Sequence, residues 1–267
     1  MRLVALHSDV IVFISRVWQT TSTAVRSGEE GFLIDSPVYP DELEALPGIT
    51  EQAGFPISGL LVTHADWDHL LGRLAFPQAA LGCAQTSAAR LQAEVGAAQR
   101  DLRRFDDEHY VQRGGALALA GVQELPVPGR LSLGAERELE LYPTSGHTAD
   151  GMAIRIPWAR VLVCGDYLSP VEIPMISPGG GIDAYEGTLT TLGALLDGVE
   201  WVVPGHGAPV AADDARRLYE QDLQYLRALR SADGDPRLPD GRRSARQREI
   251  HAENVQRVSA RSARSGR

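Results

Sequence analysis

Four times in this chain an apolar run that reads as a buried strand stops at a turn carrying metal-binding side chains. The first is Gly59-Leu60-Leu61-Val62-Thr63, followed by His64-Ala65-Asp66-Trp67-Asp68-His69. Leu139-Glu140-Leu141-Tyr142 leads to Ser145-Gly146-His147-Thr148, and the run 160–164 ends at Gly165-Asp166. Trp201-Val202-Val203 ends at Pro204-Gly205-His206-Gly207. One His after a Gly is commonly a hydrogen-bonded loop residue, and one strand-terminal Asp a cap or turn residue. Four such endings together demand a fold that delivers several strand ends to one edge. Glycines beside His147, Asp166 and His206 suit a backbone that turns sharply and comes close to a bound ion.

Between these endings the pattern alternates. Residues 10–18 and 20–26 are β-rich, and Gly31-Phe32-Leu33-Ile34-Asp35-Ser36-Pro37 is a short strand closing on an acid. A helix over 41–46 extends through 49–54, and one long helix is predicted over 86–105, rich in Ala, Leu, Gln and Arg. Short strands return over 121–142, and 152–156 pairs with 160–164. A Pro/Gly-rich loop at 169–181 precedes helices at 188–196 and 213–229, the second with acids early and Arg late, as the helix dipole favours. This order predicts an α/β (α+β) chain: two sheets, helices outside them, and a site on loops at one edge. Residues 1–230 are expected to form the catalytic domain, and 231–267 a linker, an Arg-rich helix over 244–258 and a disordered end.

Charge narrows the function. The net charge of the 267 residues is −9, which argues against a protein whose whole surface is basic and binds nucleic acid. The tail 236–267 has nine Arg against three acids, so it carries +6 and the remainder −15. There is no Lys, hence no lysine Schiff base or lysine general base. Cys83 and Cys164 lack zinc-finger or redox-motif spacing, so a disulfide framework is not expected, and Cys164 reads as buried packing. Polar residues come too early for a signal sequence, and no apolar run reaches membrane-spanning length. The expected location is the cytoplasm, with no membrane partner; the oligomeric state stays open, a homodimer among the options.

Taken in order, these motifs resemble the metallo-β-lactamase-fold hydrolase superfamily, including its glyoxalase II-like and lactonase-like branch. The match covers roughly 32–207: Asp35 in Leu33-Ile34-Asp35, the His-x-His-x-Asp-His motif as His64 to His69, Ser145-Gly146-His147-Thr148, Gly165-Asp166 and Pro204-Gly205-His206-Gly207. The resemblance implies a four-layer αββα sandwich with C-terminal helices and two divalent ions, zinc by family habit. It implies that His64, the residue at 66 and His147 hold one ion. Asp68, His69 and His206 would hold the other, and Asp166 would bridge them. Asp35 would be a buried acid orienting nearby ligands. Asp68 would also act catalytically, accepting a proton from and orienting the attacking water.

The chain departs from the family at Asp66, where His is usual. Asp66, Asp68 and Asp166 would set three negative charges against the four positive charges of two divalent ions. A bridging hydroxide would then make the site neutral, where His at 66 would leave it at +1. Such a pair is a weaker Lewis acid, and hard oxygen donors tilt preference towards manganese or iron. His64, Asp66 and His147 are also a two-His, one-carboxylate set, the ligand type of non-haem iron oxygenases.

Metal-assisted hydrolysis of a small ester-like substrate (thioester, lactone or related acyl compound) is the leading expectation. No Gly-x-Ser-x-Gly elbow or phosphate-binding Gly loop competes with it. A persulfide dioxygenase-type iron oxidoreductase is the first alternative. A nucleic-acid-binding or non-enzymatic member using the basic tail is the second, disfavoured by the acidic body. β-Lactam hydrolysis is not expected, because fold does not fix substrate. The loop 167–185 should overhang the site with an apolar lip. Tyr167 and Trp67 are candidates for substrate contact or for packing, and His7, His109 and His251 read as ordinary surface or packing residues.

Overall fold

The computed structural model describes residues 1–231 and 236–265, with side chains to 260. The chain opens with four antiparallel strands: β1 (Arg2–His7), β2 (Val10–Ile14), β3 (Thr21–Ser27) and β4 (Glu30–Ile34). Helix α1 (Pro40–Gln52) crosses over to β5 (Gly59–Leu61), which runs parallel to β4. A single 3-10 turn (Trp67–His69) and the short α2 (Gly72–Ala75) lead to β6 (Ala80–Ala84). Helices α3 (Gln85–Ala93) and α4 (Ala97–His109) then reach β7 (Gln123–Leu125), and β5, β6 and β7 are parallel. These strands make one sheet in chain order.

The second sheet holds β8 (Gly129–Leu133), β9 (Arg137–Pro143), β10 (Met152–Ile156), β11 (Val161–Gly165), β12 (Trp201–Pro204) and β13 (Val210–Ala211), again in chain order. All its pairs are antiparallel except β11 with β12, whose crossover carries the long loop and α5 (Ile182–Leu195). Helices α6 (Ala212–Arg230) and α7 (Ala245–Ser265) complete the chain.

Side-chain alternation explains the layers. In β2, Val10, Val12 and Ile14 point into a core shared with Leu139, Ile154 and Val163 of the second sheet. Ile11 and Phe13 point the other way, onto Leu43 and Leu46 of α1 and Leu102 and Phe105 of α4. On the far side, Leu162, Cys164 and Val202 meet Leu189, Leu226 and Ile250 of α5, α6 and α7. The result is an αββα sandwich. Each fully buried large apolar side chain contributes about 1.5–3 kcal/mol, so burial on both faces holds the central strands firmly.

Three local differences from the sequence reading have physical causes. The helix expected over 86–105 is two helices, because the chain breaks at Glu94 and turns through Gly96 at φ +76°. Strand β6 was not anticipated: Ala-Leu-Gly-Cys-Ala has no β-branched residue, and its place between β5 and β7 makes it a strand. The Arg-rich helix runs to Ser265 rather than ending near 258, and residues 266–267 of the expected disordered end lie outside the described residues. Its inner face is buried at Gln247, Ile250 and Asn254.

Candidate metal centre

The strand endings meet at one end of the sandwich. Asp35, just past β4, has left-handed backbone (φ +58°) and a buried carboxylate. Its Oδ1 accepts the Thr63 amide at 2.8 Å, its Oδ2 accepts the Thr63 hydroxyl at 2.8 Å, and the same Oδ2 lies 3.1 Å from His69 Nδ1. One acid thus fixes both ends of the His64 to His69 segment. Across the sandwich, Thr21 donates to the carbonyls of Gly205 and Pro204 at 2.8 and 2.6 Å, which holds His206 against the first sheet.

Within this frame His64 Nε2 and His147 Nε2 lie 3.6 and 3.3 Å from Asp66 Oδ2. His69 Nε2 and His206 Nε2 lie 3.7 and 3.5 Å from Asp68 Oδ2. Asp166 sits between the two groups. Its Oδ2 is 3.6, 3.2 and 3.5 Å from His64, His147 and His206, and its Oδ1 is 3.3 Å from His69. Donors on one tetrahedral ion at about 2.0–2.1 Å stand about 3.3 Å apart, so these separations suit shared metals. His64 Nε2, His69 Nε2 and Asp166 Oδ1 are buried with no hydrogen-bond partner among the described residues, which a cation would remedy. The seven sequence candidates are therefore gathered into one cluster.

The charges fit the same use. Burial opposes charge on Asp166, but His206, His64, His69 and His147 around it hold its carboxyl well below the usual range. Burial likewise opposes charge on His147 and His206. Asp166 and Asp66 nonetheless raise His147 to about 9, and Glu172 and Asp166 raise His206 to about 10.

A model of the metallo-beta-lactamase superfamily matches residues 15–233. The chain belongs to this superfamily. Among solved structures it is similar to a metallo-beta-lactamase family protein from Thermus thermophilus, with 19% identity, TM-score 0.66, and 85% of this chain and 82% of that one covered. A metallo-beta-lactamase from Pontibacter korlensis aligns at 17% identity and TM-score 0.61, over 85% of this chain and 98% of that one. The stereoselective inverting sec-alkylsulfatase Pisa1 from Pseudomonas sp. aligns at 18% identity and TM-score 0.65, over 85% of this chain but 42% of its own. No curated protein matches in sequence.

Against the superfamily's usual His at this position, Asp66 comes with companions that sequence reading missed. Arg90, on α3, lies 2.8 Å from Asp66 Oδ1 and 2.9 Å from Asp150 Oδ1. Asp150 is buried and its Oδ2 accepts the Ala65 amide at 2.9 Å, tying the motif to the loop after His147. Arg90 thus returns the positive charge that a carboxylate at 66 removes. Neither residue sits in a recognisable motif; only contact across 60 residues of sequence reveals them. Glu172 was missed likewise: its carboxylate groups with Asp166 and His206. Burial chiefly pushes its pKa up, against the lowering effect of His206.

A cavity of about 920 Å³ opens beside Asp66 and Trp67. Trp18, Trp67 and Phe105 form an aromatic wall with ring centres 5.0–5.8 Å apart. Met175 and Pro178 come from the overhanging loop, and Arg246 and Glu253 from α7. His109, read as ordinary from sequence, stacks on Phe105 at 4.2 Å and lines the cavity. Tyr167 does not line it. Its hydroxyl accepts the His147 amide at 3.1 Å, so it positions a cluster residue.

Proposed function

We propose that this protein is a metal-dependent hydrolase of a small ester-like substrate: a thioester, lactone or related acyl compound. The observation that carries the reading is the convergence of His64, Asp66, Asp68, His69, His147, Asp166 and His206 beside a substrate-sized, aromatic-walled cavity. His64, Asp66 and His147 would hold one divalent ion and Asp68, His69 and His206 a second, with Asp166 shared. The ions would supply Lewis acidity and a water made acidic at neutral pH. Zinc is the family default; the carboxylate at 66 supports manganese or iron.

In this reading Asp68 orients the attacking water and takes its proton. Its carboxylate is nearly buried and faces both His69 and His206. The aromatic wall would seat the acyl or leaving group and exclude bulk water. Among the described residues no helix is long and apolar enough to cross a membrane. Cys83 and Cys164 are free, buried thiols, in keeping with a reducing compartment such as the cytoplasm. Residues 1–230 would then be the catalytic domain, with α7 of the tail adding Arg246 and Glu253 to the cavity wall.

Elemental analysis of protein purified without added metal, run beside hydrolysis of thioester and lactone panels, tests the proposal. Two ions per chain and turnover are expected. Asp166→Ala should lose metal and turnover while keeping its far-UV spectrum. Full activity in that variant would sink the assignment.

The His64, Asp66 and His147 grouping supports a second reading, an iron-dependent persulfide dioxygenase on the same fold. Iron-loaded protein that takes up no oxygen with glutathione persulfide removes it. Nucleic-acid binding has less support, since Arg242 of the basic tail is buried against Asp222.

A further inference from the structure

We propose that Glu172 is an eighth donor, belonging to the metal position of Asp68, His69 and His206, and that it biases this position towards a hard divalent ion such as manganese. The inference rests on the two-metal reading above. Glu172 lies in the loop between β11 and α5, outside every motif of the chain. A carboxylate oxygen of Glu172, one of Asp166 and a ring nitrogen of His206 all lie within 4.8 Å of one another. Donors on one ion of five or six ligands stand about 3–4 Å apart, inside that limit.

The loop is built to aim this side chain. The Glu172 amide donates to Ser169 Oγ at 3.0 Å, and the Ser169 hydroxyl donates to the His206 carbonyl at 2.7 Å. The Glu172 carbonyl accepts from Arg242 Nη1 at 2.9 Å, and the next amide, Ile173, donates to Gln247 Oε1 at 2.7 Å. Arg242 is itself 1% exposed and lies 2.5 Å from Asp222 Oδ1. The backbone is therefore held on both sides by buried groups from the tail.

The carboxylate, by contrast, has no hydrogen-bond donor among the described residues. The charged groups that act on it are His206, Asp166, Asp68 and His147. The carboxylate is half-buried and faces two other acids, Asp166 and Asp68, a like-charge arrangement that a cation between them relieves. Glu172 and Asp166 share His206 with Asp68 and His69, so joined at one ion they would offer three carboxylate oxygens and two imidazoles. Five donors with three carboxylates exceed tetrahedral zinc and suit manganese or iron.

Manganese titration of the full chain, stripped of metal, decides the matter by calorimetry and electron paramagnetic resonance. Wild type should take two ions. Glu172→Gln, checked by circular dichroism, should weaken one of them by about tenfold or more, since even groups that only orient ligands carry about 10–100-fold in affinity. Glu172→Asp keeps the charge but withdraws the oxygen by one methylene, and should weaken the same ion. Both ions within threefold of wild type in Glu172→Gln, an equal loss at both, or full recovery in Glu172→Asp would overturn the proposal and leave the two-metal reading intact. Failure of wild type to take a second ion would instead bring down the two-metal reading, and this inference with it.

Discussion

Asp66 faces two ways: Oδ2 towards His64 and His147, Oδ1 towards Arg90. The guanidinium keeps one oxygen occupied, so a single oxygen is left to face the cluster, much as one imidazole nitrogen would. Removing Arg90 also strips the buried Asp150 of its charge partner. Arg90→Leu should therefore lower stability by about 2–3 kcal/mol, seen as a lower urea midpoint at unchanged slope. An unchanged midpoint would mean that Asp150 is satisfied without it. Gly205→Ala is predicted to be worse for the site than for the fold. A Cβ there would collide with Asp166 Oδ1 and lie 3.0 Å from His69 Cε1. Metal content near zero in a folded variant is the expected result.

The raised pKa values of His147 and His206, about 9 and about 10, give a pH prediction of definite sign. At those values both rings would be protonated at pH 7.5 in metal-free protein and would have to lose their protons to ligate. Metal uptake in weakly buffered solution should release protons, and apparent affinity should rise with pH up to those values. In metal-free protein the same groups stabilise the fold fully below their unfolded pKa of about 6.5, and that contribution is lost as pH rises through about 9–10. Proton-free metal uptake, read with an indicator dye, would contradict both statements.

At the scale of elements, α7 is part of the site's support. Asn254 is fully buried: its Oδ1 accepts the Ile176 amide at 2.9 Å, and its Nδ2 donates to the Pro174 carbonyl at 2.7 Å. Between them Met175 presents its carbonyl 2.9 Å from His147 Nδ1. The helix thus reaches a cluster residue through one loop. Asn254→Ala should cost about 2–3 kcal/mol by stranding two backbone groups, and should weaken metal binding without touching any donor. Calorimetric melting and metal titration on the same sample check both parts. The sequence shows this helix only as an Arg-rich stretch, and the Arg residues dominate that pattern. Gln247 and Asn254, two turns apart on its buried side, carry no signal until the loop lies against them. The break between α3 and α4 was equally local in cause, one glycine, but invisible against a strong helical composition.

For the whole molecule, the cluster joins the two halves of the sandwich. His64, Asp66, Asp68 and His69 follow β5 of the first sheet, while His147, Asp166 and His206 follow β9, β11 and β12 of the second. An ion held from both sides would oppose separation of the sheets and would bind only the folded chain. Each site should add about 2.7 kcal/mol at a hundredfold excess of ion over its Kd. Chelator should accordingly lower the calorimetric Tm, and re-addition of metal restore it; a Tm indifferent to chelator would show that the sheets hold the site without help.

By itself the sequence determined the strand-end motifs, since each is a contiguous signal of an apolar run, a turn and then a His or Asp, and their order carried the resemblance that implied the αββα class. It also singled out the seven residues that the fold brings together. Only the tertiary structure decided what Arg90, Asp150, Glu172, Arg242 and Asn254 do. Each is a single polar residue in an ordinary helix or loop. Its meaning depends on which distant carboxylate, imidazole or carbonyl the packed layers set within about 3–5 Å of it, a distance over which charges removed from water interact strongly.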